Sequence, residues 1–157
     1  MARLGVALEL LVVLTQALAA AGFYRLFREK APVAAAGIAA FGLVNAVVVL
    51  GSAALLATAA EVADRPFGDA ATTVQLLYLV SGHLWTAGGI FFGLWLIPMG
   101  QAVLTTGWMP RPLGWILIAG GVGYAVSAFV PSDLLAVPAS IGEFWMVGYL
   151  LVKGVRN

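Results

Sequence analysis

The sequence predicts an all-α transmembrane helical bundle, with about five membrane-spanning helices in a single domain over residues 1–157. Of its 157 residues, 62% are hydrophobic and only 10% are charged, whereas a soluble domain usually carries about 25% charged residues. The mean hydropathy is +1.03, and the apolar residues form long blocks instead of an alternating pattern. A chain with so few charges cannot cover a water-facing surface, so we expect it to lie in a lipid bilayer.

Five apolar segments are each near the roughly 20 residues needed to cross a hydrocarbon core about 30 Å thick. The predicted spans are 4–24, 32–60, 71–106, 113–130 and 139–152. The third is too long for one straight perpendicular helix, so we expect it to tilt, to project from the bilayer or to bend at Pro98, which lacks a backbone donor. The fifth is short and can extend through Lys153 if that side chain reaches the interface.

The distribution of Lys and Arg predicts the orientation of the bundle. With the basic loop at residues 25–30 placed in the cytoplasm, six of the eight cations lie inside and two lie outside. We therefore expect the N-terminus outside and the C-terminus in the cytoplasm. A secretory signal at the start of the chain is the alternative, but Glu9 and Gln16 interrupt its apolar stretch, and cleavage would place the basic loop outside.

The composition also excludes several classes of function. The net charge is +1, so there is no basic field to attract nucleic acid. The chain has no cysteine and one histidine, which removes disulfides, iron–sulfur clusters and thiolate zinc sites. We therefore expect no metal site, no cofactor and no nucleic-acid partner. The hydrolase and nucleotide-binding motifs GxSxG, HExxH and the glycine-rich phosphate loop are missing as well, so an intramembrane enzyme is the weakest interpretation.

Three ionisable residues inside the spans, Glu9, His83 and Glu143, are the candidate ligand-binding or proton-binding groups. Each calls for a reason, because a charge in hydrocarbon costs roughly 2.5–3.5 kcal/mol on insertion scales. At a rise of about 1.5 Å per residue, both carboxyl groups fall in an outer polar layer and His83 falls in a central one. The candidate polar helix contacts are Gln16 and Asn45 in the central layer, and Gln75 and Ser127 in the outer layer.

The polar residues can also be read as packing contacts. His83 is then a neutral imidazole that hydrogen-bonds a neighbour such as Asn45 or Gln16 and holds helices together. A proton or substrate role is one alternative, since an intramembrane ionisable residue is a functional candidate. A haem or metal ligand is the other, although a metal site needs several ligands and the chain has no second His and no Cys. Glu9 and Glu143 can share a proton or reach His83, or they can lie near the headgroups and water.

Small residues predict where helices approach each other closely. The third span contains a GxxxG motif at Gly89 and Gly93, and the fourth contains a stripe of small residues at Ala119, Gly123 and Ser127. Such stripes allow close backbone contact in membranes. They are weak signals in a chain with 19 glycines.

Three stretches together resemble the bacterial membrane proteins grouped as domain-of-unknown-function family 4386. They are FFGLWLIPMG at 91–100, GWMPRPLGWILIAGGVGY at 107–124 and IGEFWMVGYLLVKGV at 141–155. The resemblance implies a multi-pass protein of the bacterial inner membrane, and it implies no particular reaction. Family members usually carry one more helix before the segment that matches 2–24. That helix is either truly absent here or left out by a misplaced start, and if it is absent we expect Glu9 to face lipid or a partner protein where it would lie.

Two functions follow as expectations. The first is a non-catalytic accessory or assembly subunit that contacts the bilayer and a larger membrane complex or a second copy of itself. It predicts an exposed apolar groove. The second is a small proton-coupled transporter or carrier, which predicts that Glu9, His83 and Glu143 line one connected cavity.

Overall fold

The computed structural model describes residues 2–130 and 133–154, and within those ranges the chain is helical with no strand. The predicted fold class, an all-α helical bundle, is confirmed. The helices are α1 (Ala2–Phe27), α2 (Pro32–Asp64), α3 (Ala70–Thr106), α4 (Arg111–Ser127) and α5 (Val137–Lys153), with a short 3₁₀ turn at Asp133–Ala136 before α5.

Four helical segments of the described chain are long and apolar enough to cross a membrane. They are Arg3–Phe27, Pro32–Asp64, Ala70–Thr106 and Leu134–Lys153. Helix α4 has 17 residues, which is at the lower limit of spanning length. The fifth span begins at Val137 and continues through Lys153, so it is longer than the segment 139–152 that the sequence predicts. The chain therefore has the architecture of an integral membrane protein.

Local sequence signals explain where most helices begin and end. Pro32 occupies the first turn of α2, where its missing N–H would have no helical partner anyway. The backbone N–H of Thr72 donates to Asp69 at 3.2 Å, and Thr72 Oγ1 donates to the same carboxylate at 2.7 Å, so Asp69 caps α3. Gly107 ends α3 in the left-handed conformation with φ of 66°, as helix C-termini often do.

Helices that are consecutive in the chain pack against each other, and α2 and α3 form the central pair. Helix α1 packs mainly on α2, and helix α5 packs mainly on α4. Helices α1 and α5 therefore lie on either side of α3 and make no large contact with each other. The connections at residues 28–31 and 107–110 share one end of the bundle, here called the basic end. The connection at residues 65–69 lies at the opposite, acidic end, where Arg3 pairs with Asp64 at 3.1 Å between exposed side chains.

Helix α3 is continuous through Pro98, which is buried. Gly37 of α2 makes room for the proline, because a Cβ atom there would lie 3.2 Å from Pro98 Cβ. At the basic end the core is completed by Phe27, which is fully buried and stacks on Trp108 at 5.9 Å between ring centroids.

Glycines set the close approach of α3 and α4. A Cβ on Gly93 would collide with the carbonyl oxygen of Gly121, and a Cβ on Gly100 would lie 2.5 Å from that of Gly114. The contact face of α4 therefore passes through Gly114 and Gly121. The prediction that Ala119 belongs to the packed stripe of α4 is wrong, because Ala119 is exposed.

The other predicted packing glycines have different surroundings. A Cβ on Gly123 would collide with the carbonyl oxygen of Leu135 in the 3₁₀ turn before α5. A Cβ on Gly89 would lie 3.9 Å from the ring of Tyr124, an ordinary van der Waals contact. Gly93 and Gly123 therefore have closely packed backbones beside them, and Gly89 has more room.

The two halves of the bundle differ in length. Tyr124, near the end of α4, lies beside Gly89 and Gly93 of α3, so the α4–α5 connection lies near the level of Gly89. Helix α3 continues toward the acidic end as far as Ala70, which is about 28 Å further at 1.5 Å per residue. Helices α1–α3 therefore extend well beyond α4 and α5 at the acidic end.

Candidate intramembrane binding site

A polar cluster joins α1, α2 and α3 around Glu9. Trp85 Nε1 donates to Glu9 Oε1 at 2.8 Å, and Ser52 Oγ donates to the same oxygen at 3.1 Å. The hydroxyl oxygens of Ser52 and Ser81 are 2.8 Å apart. Because the single proton of Ser52 is used on Glu9, Ser81 is the donor in that contact. Glu9 is therefore turned toward α2 and α3, and the expectation that it faces lipid or a partner is wrong.

His83 takes no part in this cluster. It lies between Ser81 and Trp85 in the chain, yet its side chain is exposed while Ser81 is buried. Two residues along a helix turn a side chain by about 200°, so the phase that buries Ser81 points His83 outward. The prediction that His83 holds helices together from a central layer is wrong. Its level is that of Glu9.

Two further predicted helix contacts are also wrong. Gln75 is exposed on the first turns of α3. The hydroxyl of Ser127 donates to the carbonyl oxygen of Tyr124 at 2.7 Å, within its own helix. Neither side chain bridges two helices in the described chain.

Gln16 and Asn45 do lie together, at the centre of the bundle. Both line a cavity of about 160 Å³ between α1, α2 and α3, which Trp85 and Tyr124 also line. Asn45 is 6% exposed and Gln16 is 9% exposed. Gln16 follows Glu9 by seven residues on α1, which places it about 10 Å deeper at 1.5 Å per residue.

A second, larger hollow adjoins this cavity and is here called the α1–α5 groove. Its volume is about 260 Å³, and it lies over α3 between α1 and α5. Gln16 and Phe92 line both spaces, so the two are adjacent. The lining residues are Thr15, Gln16, Ala19 and Phe23 of α1, Phe92, Trp95, Leu96 and Met99 of α3, and Glu143, Met146 and Val147 of α5.

Glu143 lies in this groove at the level of Gln16, so it is deeper than Glu9. The prediction that the two carboxyl groups share one outer layer is therefore wrong. The physical reason is the short α4, because α5 starts from a connection near Gly89. Depths counted from the helix ends assume that all connections lie in one plane, and here they do not.

Three of the residues that line the groove have a buried polar atom without a hydrogen-bond partner within residues 2–130 and 133–154. These atoms are Gln16 Nε2, Trp95 Nε1 and Glu143 Oε1. Trp95 Nε1 is turned toward α2, where a Cβ on Gly42 would lie 3.1 Å from it. In hydrocarbon an unsatisfied polar group costs several kcal/mol. Glu9 differs, because one of its oxygens accepts two hydrogen bonds and only Oε2 has no partner.

Sequence reasoning missed Ser52 and Ser81, which are buried small hydroxyl residues in apolar runs. One signal could have found Ser52: it follows Asn45 by seven residues, so both lie on the same face of α2. The described residues contain no group of three or more His, Asp or Glu side chains placed to hold a metal ion.

The fold and the groove define a polytopic α-helical membrane protein with polar side chains buried at the centre of its bundle. The chain belongs to the family described as Domain of unknown function (DUF4386), whose family model matches residues 1–154. The resemblance seen in the sequence, which is most specific in its C-terminal half, is thus confirmed over nearly the whole chain. No curated protein and no solved structure matches the chain.

Proposed function

We propose that this protein binds a small molecule within the bilayer, in the α1–α5 groove and the adjoining cavity. The observation that carries the proposal is that Gln16 and Glu143 line one groove while Gln16 Nε2 and Glu143 Oε1 lack hydrogen-bond partners among the described residues. Polar residues that serve only packing bond to each other across helices. Here a ligand is the group that satisfies them.

The walls of the groove indicate what kind of molecule fits. Most of the lining is apolar, with Phe23, Phe92, Met99 and Met146 among the side chains. A few polar groups on an otherwise apolar wall are typical of small-molecule sites. The ligand is therefore a molecule with an apolar body and one polar group, and it enters from the lipid between α1 and α5. Binding of this kind is the first step of a carrier.

This proposal changes the set of residues on which a carrier function rests. Glu143 lines the groove, Glu9 is hydrogen-bonded in the neighbouring cluster, and His83 is exposed on α3. The three do not line one connected cavity. The polar residues that line the groove or the adjoining cavity together with Glu143 are Gln16 and Asn45, and not Glu9 and His83.

Native mass spectrometry after purification in mild detergent tests the proposal. We expect the wild-type protein to carry one small molecule per chain and the Gln16→Leu variant to lose it. Thr58→Val is the matched control, since Thr58 is an exposed residue that bonds only its own helix. A wild-type protein without any bound small molecule, in detergent and in nanodiscs alike, would contradict the proposal.

The accessory-subunit function is the second candidate, and the exposure of α1 favours it. The outer face of this helix is rich in leucine, with Leu8, Leu14 and Leu18 55%, 61% and 72% exposed, and α1 packs mainly on α2. That face would then receive a helix of a partner protein in the bacterial inner membrane. A protein bound in a fixed ratio in the same mass spectra, with no small molecule, would favour this function over ligand binding.

A further inference from the structure

We infer that the α1–α5 groove selects a lipophilic cation, an amine or quaternary ammonium group on a small apolar body, with the positive charge at Glu143. The inference rests on the proposed function and adds the chemical class of the ligand. It also assigns separate roles to the two sides of the groove.

Charge complementarity is the first argument. Glu143 is the one ionisable side chain among the residues that line the groove, and no Lys, Arg or His accompanies it there. The Lys and Arg residues of the described chain lie at helix ends and in connections, at positions 3, 25, 28, 30, 65, 111 and 153. The protein itself therefore supplies no cation to this carboxyl group, and a ligand that carries one complements it.

Aromatic side chains beside Glu143 supply the second argument. The rings of Phe92 and Trp95 are 5.6 Å apart between centroids, and those of Phe23 and Trp95 are 6.3 Å apart. All three residues line the groove. Aromatic faces attract cations, most strongly where water is excluded. They also accommodate the apolar body of a ligand that carries the charge.

Gln16 supplies the third argument, because it lies across the groove from α5 and is nine-tenths buried. Its amide has an acceptor oxygen, and the negative end of that C=O dipole can lie against the positive charge of the ligand, whether or not the ligand carries an N–H. The volume of about 260 Å³ suits a compact cation. Glu143 thus carries the charge selectivity and Gln16 the polar contact on the opposite wall.

Binding of benzyltrimethylammonium tests the inference, with the full chain in nanodiscs of zwitterionic phosphatidylcholine and isothermal titration calorimetry as the readout. Neopentylbenzene is the matched neutral probe, because a carbon atom replaces the quaternary nitrogen. We expect saturable 1:1 binding of the cation and at least about tenfold weaker binding of the neutral probe, the scale of one interaction with a charged group.

Two variants locate the charge. Glu143→Gln should weaken binding of the cation at least about tenfold, and Glu61→Gln, the same substitution at an exposed position on α2, should leave it unchanged. If Glu143→Gln does not fold, Glu143→Asp takes its place, because it keeps the charge and should still prefer the cation to neopentylbenzene.

The outcomes separate this inference from the proposed function. Equal binding of the two probes, unaffected by Glu143→Gln, would overturn the cation class while leaving a small-molecule site in place. No binding of the cation to the wild-type protein would also overturn it, and the mass spectra of the purified protein would still decide whether a different small molecule is bound.

Discussion

Two buried polar residues on α1, seven positions apart, have opposite surroundings. Glu9 receives hydrogen bonds from Ser52 and Trp85, so it ties α1 to both central helices. Gln16 is more deeply buried, and its Nε2 has no partner in the described chain. The first residue is a structural contact of the kind that stabilises membrane bundles. The second lies against the groove with this unpartnered donor, and for that reason we propose for it a role in binding.

The hydrogen bond between Trp85 and Glu9 should contribute to the free energy of unfolding. We expect Trp85→Phe to lower the free energy of unfolding by about 1 kcal/mol, since the ring is kept and one donor to the carboxylate is lost. Denaturant unfolding in detergent micelles, followed by circular dichroism, measures this. Trp115→Phe is the control, because Trp115 is 64% exposed. Equal effects of the two substitutions would mean that the hydrogen bond contributes nothing.

The sequence predicts some residues of the site and not others. Gln16, Asn45 and Glu143 stand out because polar residues are rare in the spans, and all three line the cavity or the groove. The direction of His83 could not be predicted, because it depends on which side of α3 packs on α2. The same phase buries Ser81, which looks unremarkable in the sequence.

At the scale of the elements, the contact between α3 and α4 depends on backbones that touch. Gly93 lies against the carbonyl oxygen of Gly121 and Gly100 against that of Gly114. Helix limits set by Pro32, Asp69 and Gly107 could be predicted, because those signals are local. The packing face of α4 could not, because several small-residue stripes compete in a helix with four glycines and tertiary contacts select one of them.

A methyl group at Gly93 should separate α3 from α4. We expect Gly93→Ala to lower the free energy of unfolding by about 1–3 kcal/mol, as overpacking usually does. Gly82→Ala is the matched control on the same helix, since a Cβ there meets nothing within 4 Å. It should be neutral or raise the stability by up to about 1 kcal/mol through helix propensity. Thermal unfolding of both variants in one detergent makes the comparison, and similar losses would contradict the close-contact account.

The cap of α3 predicts a dependence of stability on pH. The hydrogen bonds from Thr72 lower the pKa of Asp69 below its usual value. A carboxyl group whose pKa is lowered in the folded state stabilises the fold above its unfolded pKa of about 3.9, and the contribution is lost as the pH falls through the lowered value. We expect the melting temperature of the wild type to fall relative to that of Asp69→Asn from about pH 4 downward. If the melting temperatures of the wild type and of Asp69→Asn change with pH in the same way, Asp69 does not act as a charged cap.

At the scale of the whole molecule, the bundle has long helices on one side and short ones on the other. Helices α1–α3 have 26, 33 and 37 residues, and α4 and α5 have 17 each. This difference places Glu143 at the level of Gln16, on the two sides of the α1–α5 groove. Segment lengths in the sequence hint at the difference, but the relative levels of the connections follow only from which residues lie beside each other in the fold, such as Tyr124 beside Gly89 and Gly93.

The orientation in the membrane stays a prediction from the positive charges. We expect the basic end to face the cytoplasm, because cytoplasmic loops carry an excess of Lys and Arg. The chain has no cysteine, so Glu29→Cys and Phe67→Cys each introduce a unique thiol at an exposed position, one at each end of the bundle. In intact spheroplasts a membrane-impermeant maleimide should label only the cysteine at position 67. Labelling of position 29 instead would reverse the orientation.

The stability of Gln16→Leu tests most directly whether the polar groups of the groove serve binding or packing. Leucine has a similar size and removes the unpartnered amide, so we expect the free energy of unfolding of the delipidated protein to rise by about 1 kcal/mol or more. Denaturant unfolding in detergent, beside the wild type, measures the difference. A loss of stability of about 1 kcal/mol or more would contradict the account, because Gln16 would then be a hydrogen-bonded packing contact and the groove would have no need of a ligand.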